Sequence, residues 1–205
     1  MDQIINSKSN ITMSKGLIAV VVILLIFGFV GCGKYNGLVG KDEVVKESWA
    51  KVESQYQRRA DLIPNLVSTV KGAADFEKST LTAVIEARAK ATSTTINADQ
   101  LTPENITKFQ GAQDQLSGAL SRLLVSVEKY PDLKANQNFL ELQAQLEGTE
   151  NRIAVARNDF NTVVKDYNQE VRTFPTNLFA GIFGFAQKGY FTAAAGSEKA
   201  PSVQF

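Results

Sequence analysis

Two arginines stand where a helical sequence places apolar residues. Arg59 interrupts the series Val45, Trp49, Val52, Tyr56, Ile63, Leu66, Val70, and Arg88 shares a side with Leu81, Val84 and Ile85. A guanidinium inside a helical bundle must be paired, because an unpartnered buried charge is strongly unfavourable. Arg59 and Arg88 lie equally far from a turn near Gly72 to Ala74, so an antiparallel hairpin sets them at one level. Reflecting the later helices about the Pro131–Asn136 turn brings Glu147 and Glu150 to a similar height. The expectation is a buried polar layer in which Arg59 or Arg88 pairs with Glu147 or Glu150, helped by Gln113 or Thr149. Such a layer can fix helix register as a salt bridge. It can also grip an anionic ligand, since arginine clusters recognise phosphate and carboxylate.

Most other chemistries are closed to this chain. It has no histidine, which excludes Ser-His, Cys-His and His-ligated metal mechanisms within it. Glu147 and Glu150 have the carboxylate spacing of a bundle di-metal site, but no histidine completes the Glu-x-x-His pattern. They share one helix face without the sign of a substrate cleft, which argues against a hydrolytic pair. No nucleophile elbow is present. No catalytic, metal-ligating or cofactor-binding residue is therefore assigned. With 22 basic and 21 acidic residues in 205, the net charge is +1, and no basic patch points to nucleic acid.

The N-terminus implies a membrane. Gly16 to Val30 contains no polar side chain, and Lys8 and Lys15 precede it. Met13 would serve as a start as well as Met1. As a helix, the uncharged run from Gly16 to Gly33 spans roughly 27 Å, against a hydrocarbon core of about 30 Å. Two anchors fit. One is an uncleaved transmembrane helix. The other is a lipoprotein-type signal with Cys32, the single cysteine, as the lipidation site; Phe29 then stands where leucine is usual. Residues 1–33 are read as this anchor or signal, 34–191 as the folded region and 192–205 as a mobile tail.

The folded region reads as four helical stretches with almost no strand pattern. The first runs from about Lys41 to Lys71, with a kink expected near Ala60 to Asp61 because Pro64 breaks the hydrogen-bond ladder. The second runs from about Asp75 to Ala91. The third begins at Thr102-Pro103, a capping hydroxyl followed by proline, and carries Ile106, Phe109, Gln113, Leu116, Leu120, Leu123, Val127 and Tyr130 on one face. The fourth runs from about Asn136 to Phe174, with Phe139, Leu142, Leu146, Thr149, Ile153, Ala156, Phe160, Val163 and Tyr167 in register. The fold class expected is all-α, a long antiparallel helical bundle; a long coiled coil with a second chain is the alternative. Asn177 to Phe191 is aromatic and glycine-rich, either a lid over the open end of the bundle, which is favoured, or a second contact with lipid.

Motifs along the chain carry a family resemblance. They include Tyr35-Asn36-Gly37-Leu38-Val39, Arg58-Arg59-Ala60-Asp61-Leu62-Ile63-Pro64-Asn65-Leu66-Val67, and Glu86-Ala87-Arg88-Ala89. Further along stand Tyr130-Pro131, Leu146-Glu147-Gly148-Thr149-Glu150-Asn151, Arg157 with Phe160-Asn161, Tyr167-Asn168 and Phe174-Pro175. Together, from Tyr35 to Phe185, they resemble the LemA family of bacterial membrane-anchored proteins. The resemblance implies one N-terminal membrane segment followed by a helical bundle, and supplies no catalytic residues. The function expected is a membrane-anchored, non-enzymatic scaffold or interaction protein of the cell envelope. Its bundle would lie outside the cytoplasm, with an envelope protein as partner. The alternative is a ligand-binding protein or enzyme that uses the Arg–Glu layer on an anionic group.

Overall fold

A computed structural model of the chain describes residues 15–72 and 76–193. Among them are six α-helices and no strand: α1 (Lys15–Lys71), α2 (Lys78–Ser93), α3 (Pro103–Val127), α4 (Pro131–Lys134), α5 (Gln137–Arg172) and α6 (Thr176–Phe183). The protein is all-α. Lys8, both candidate starts, the tip of the first turn and the tail from residue 194 lie outside the described residues.

The caps follow from the local sequence. Thr102 accepts a hydrogen bond from the Asn105 amide at 3.2 Å and Pro103 opens α3, where its missing N–H costs nothing. Asn136 does the same for α5 through the Phe139 amide at 3.2 Å. Gly184, at φ 78°, closes α6 in the left-handed region open to glycine.

The first helix departs from expectation. The apolar N-terminal run and the first bundle helix form one rod of 57 residues, roughly 85 Å long, instead of two elements joined at residues 34–40. Gly33, Gly37 and Gly40 lie inside this helix, because tertiary contacts override a per-residue cost of about 1 kcal/mol for glycine. The helix runs on through Pro64 to Lys71, as expected of the first stretch.

Two antiparallel helix pairs build the bundle: α1 lies along α5, and α2 along α3. The pairs meet through large side chains. Trp49 of α1 packs edge-on against Phe109 of α3 and Phe160 of α5, with ring centroids 5.2 and 5.5 Å apart. The expected seam of α1, from Val45 to Val70, is buried throughout. On α5 the buried face drifts after Phe160: Val164 replaces Val163 in the core, and Val171 follows. That drift is what 3.6 residues per turn does to a strict 3.5 repeat.

The core falls into two clusters. One holds Leu38, Val45, Trp49, Tyr56, Phe109, Ile153, Phe160 and Phe191. The other holds Ile63, Leu66, Leu116, Leu123, Phe139 and Leu146. On α1, α3 and α5 the residues between them are Arg59, Gln113 and Thr149, all buried.

Candidate functional site

Arg59 is 1% exposed, and its guanidinium ties three helices together. Nη1 donates to Ser117 Oγ on α3 at 2.7 Å and to Glu150 Oε1 on α5 at 2.6 Å. Nη2 donates to Gln113 Oε1 at 2.6 Å. Gln113 passes the connection on, its Nε2 donating to the Ala91 carbonyl of α2 at 3.2 Å. The Tyr56 ring faces the guanidinium carbon at 5.1 Å, an arrangement that favours the cation. One charged fork thus links all four long helices at one level, and short-range alternatives in register would leave it unpaired.

Arg88 reaches the same level and does something else. Its Nε donates to the Ala60 carbonyl at 2.9 Å. In an α-helix that carbonyl would accept from residue 64, but Pro64 has no N–H. Arg88 therefore satisfies the acceptor that the proline leaves open. Motif pairing in the sequence, Ala60 with Pro64 in one helix and Arg88 in the next, holds the information; it is visible only once the hairpin register is known.

The layer brings together Arg59, Gln113 and Glu150. Glu147 stands outside it, exposed and accepting from Gln143 Nε2 at 3.0 Å. The two glutamates lie on neighbouring sides of the helix, about 60° apart in azimuth and about 4.5 Å apart along the axis, and only Glu150 meets Arg59. Thr149 is buried at the same height, but its hydroxyl donates to the Gln145 carbonyl at 2.7 Å. Among the described residues no cluster of three or more potential metal ligands occurs. Beside the layer lies a small cavity of about 80 Å³, whose walls include Glu53, Tyr56, Ala60, Thr94 and Gln113 but not Arg59. Burial raises the pKa of the Glu53 carboxyl that lines it.

The C-terminal segment is held by a device the sequence reading missed. After α6 the chain runs extended along the bundle. Asn168 of α5 receives the Lys188 amide and donates to its carbonyl, both at 2.8 Å. Asn161 does the same for Phe191, at 2.9 and 2.8 Å, and Gln110 of α3 for Thr192, at 3.0 and 2.9 Å. Each side-chain amide supplies the donor and acceptor that a neighbouring strand would supply. Thr192, which the sequence assigns to the mobile tail, is thus fixed. Asn161 and Asn168 stand one heptad apart on α5, but an amide at either position reads in the sequence as an ordinary polar residue.

Lys188 is buried beside Asp42, with Nζ to Oδ1 at 2.7 Å, and 5.3 Å from the centre of the Tyr167 ring. Lys46 bridges Asp99 at 2.8 Å and Asp42 at 3.1 Å, and these carboxylates hold its pKa well above the usual lysine range. Burial, with a smaller push from Asp42, raises the Tyr167 phenol to about 12. Nearer the N-terminal end of the rod, Lys34 pairs with Glu170 at 3.3 Å. Burial pushes the Glu170 carboxyl up, but its bonds with Lys34 and Thr176 and the charge of Lys41 together bring it below the usual value.

On the N-terminal side of Lys34 the rod keeps contact with α6, through Gly31 and Phe27 against Phe179. Leu17 to Phe27 present large apolar side chains that are 41–68% exposed, and Phe29 is 85% exposed. This part of α1 is long and apolar enough to cross a membrane. Cys32 lies on it, exposed.

Such an arrangement defines a class: an all-α bundle whose first helix extends as an apolar rod. Residues 48–205 match the LemA family, and the chain belongs to it. It is 26% identical to Protein LemA of Metamycoplasma hominis over 155 residues, covering 76% of this chain and 67% of that one. It is 27% identical over 179 residues to Magnetosome protein MamQ 2 of Paramagnetospirillum magneticum, and likewise to MamQ of Magnetospirillum gryphiswaldense. That alignment covers 77% of this chain and 64% of either MamQ protein. The family match begins at Ser48, so the apolar run and Cys32 lie outside it.

Proposed function

We propose that the protein is a membrane-anchored, non-enzymatic helical scaffold of the bacterial cell envelope, with its bundle outside the cytoplasm and an envelope protein as partner. The observation that carries this reading is the single rod. One helix joins an exposed apolar run to a seam buried in the bundle, so the bundle has no flexible joint to the bilayer. The polar layer supports a structural role for Arg59, because both Nη atoms are engaged by groups of the bundle itself. An anion-binding role finds less support, since the adjoining cavity lacks Arg59 and carries Glu53. An uncleaved helix is favoured over lipidation at Cys32. Cleavage before Cys32 would remove Phe27 and Gly31, both of which pack against Phe179 of α6.

Crosslinking of tagged full-length protein in its native membrane tests the scaffold reading. The expected result is retention in the membrane fraction after alkaline wash, with a recurring crosslinked envelope protein. Recovery in the soluble fraction refutes the anchor, and only self-crosslinks refute the partner. Protease added outside intact spheroplasts should digest the bundle; full protection refutes the assigned side. Unchanged mass and palmitate labelling in Cys32→Ala would agree with the uncleaved helix, whereas loss of label would overturn it.

A further inference from the structure

We propose that α6 is a second membrane-contacting element, lying in the lipid interface against the emerging rod; this rests on α1 being membrane-spanning. The helix has two faces. Thr176, Phe179 and Ala180 are buried against the bundle. The opposite stripe, continuing from the preceding turn, is apolar and open: Phe174 is 75% exposed, Leu178 49% and Ile182 66%. Leu178 and Ile182, four residues apart, share one side of α6, and Phe174 lies in the turn before it. From Phe174 to Gln187 no residue is charged.

Position along α1 identifies what covers that stripe. Phe179 packs on Phe27, with ring centroids 4.7 Å apart, and its ring leaves no space for a Cβ on Gly31. Gly33 ends the uncharged run. At about 1.5 Å per residue, Phe27 and Gly31 lie roughly 9 and 3 Å inside that end. A run of roughly 27 Å has little spare length in a hydrocarbon layer of about 30 Å, so α6 cannot stay above the bilayer if α1 crosses it. The depth is that of an interfacial helix, about 5–10 Å into the headgroup–acyl boundary. The edges agree. Lys34 and Glu170 pair just above, and Tyr35 stacks edge-on against Phe183, centroids 4.9 Å apart, where aromatic residues favour the interface. The glycine at position 31 is required by this close approach, which fixes α6 at one depth on the rod.

The test uses full-length protein in phosphatidylcholine vesicles containing lipids brominated at both shallow and deep acyl positions. Tryptophan is placed at Ile182, at Ile23 inside the apolar run, and at the exposed Val125 of α3; emission of buried Trp49 is subtracted using the native protein. Quenching of Ile182→Trp comparable to that of Ile23→Trp, with Val125→Trp unquenched, is the expected result. Quenching at Ile23 but not at Ile182 overturns the interfacial helix and leaves the anchor standing. Emission at Ile182 that shifts with protein concentration but not with brominated lipid assigns the stripe to a second copy and equally overturns it. Absence of quenching at Ile23 overturns the anchor and, with it, this proposal.

Discussion

Pro64, Ala60 and Arg88 form a closed unit whose energetics can be measured. The Ala60 residue is 4% exposed, so water is a poor substitute for the Arg88 donor at 2.9 Å. A hydrogen bond to a charged donor contributes about 1.5–3 kcal/mol. Arg88 is only half-buried, so its own solvation survives the loss and the lower part of that range applies. Arg88→Met, which keeps helix propensity, should therefore destabilise the protein by about 2 kcal/mol. Pro64→Ala restores the N–H that Ala60 lacks and relieves the ring, and should stabilise a helix that is already formed around it. In that background Arg88→Met should cost almost nothing, because Ala60 has an internal donor. The cycle should give a coupling energy of about 2 kcal/mol, or a difference in melting temperature of about 4–8 °C for a bundle of this size. Helical ellipticity of the four full-length proteins in detergent, followed against temperature, measures it. Equal losses on Arg88→Met in both backgrounds would refute the assignment of Arg88 to the proline gap.

Other consequences are as direct. Arg59→Lys should cost about 2 kcal/mol in the same melts, because one ammonium cannot reach Ser117, Gln113 and Glu150 together; an unchanged melting temperature would show that the fork is dispensable. Gly189→Ala should release the extended segment, since a Cβ there would lie 2.7 Å from the Pro103 Cα, and backbone cannot yield as a side-chain tip can; limited proteolysis should then cut near Lys188, and an uncut chain would contradict this. Tyr56 and Tyr167 both have raised pKa values, each chiefly through burial. The unfolded chain ionises near pH 10, so their contribution to stability is complete below about pH 10 and is lost as pH rises through the folded values. Phenolate absorbance should show a late component near pH 12 that Tyr167→Phe removes; a titration identical in the variant would contradict the buried phenol.

Helix periodicity was legible because apolar packing writes a repeat into the chain, and the seams of α1 and α3 needed nothing beyond it. The α5 seam was legible up to Phe160 and again at Tyr167; at Val163 the core takes Val164 instead, because a strict alternation of four and three departs from the true pitch. The glycines at 33, 37 and 40 hid the continuity of α1. Their local cost is offset by contacts with α5 and α6, partners that no local pattern names. At the polar layer, sequence reflection brought Arg59 to the height of Glu150. It could not divide Glu147 from Glu150, because that depends on azimuth about the helix as well as height. The amide clamps at Asn161, Asn168 and Gln110 were illegible for a different reason: an amide reads as polar and exposed, and its backbone partner leaves no signature of residue type.

The two halves of the core then have a joint meaning. Arg59 divides them, and only one sliding position of α1 against α3 and α5 satisfies its contacts with Ser117, Gln113 and Glu150. Apolar seams alone tolerate slips by a heptad, because leucine meets leucine either way. A slip of α1 by one heptad, about 10 Å, would move the apolar run relative to α5 and α6 by the same distance. Lys34 would leave Glu170, and Gly31 would leave the ring of Phe179. The buried charge therefore sets more than bundle register. Through an unbroken helix it also sets how far the apolar rod projects beyond the bundle, so a polar layer deep in the fold and a close glycine contact at its end specify the same quantity from two positions on one rod.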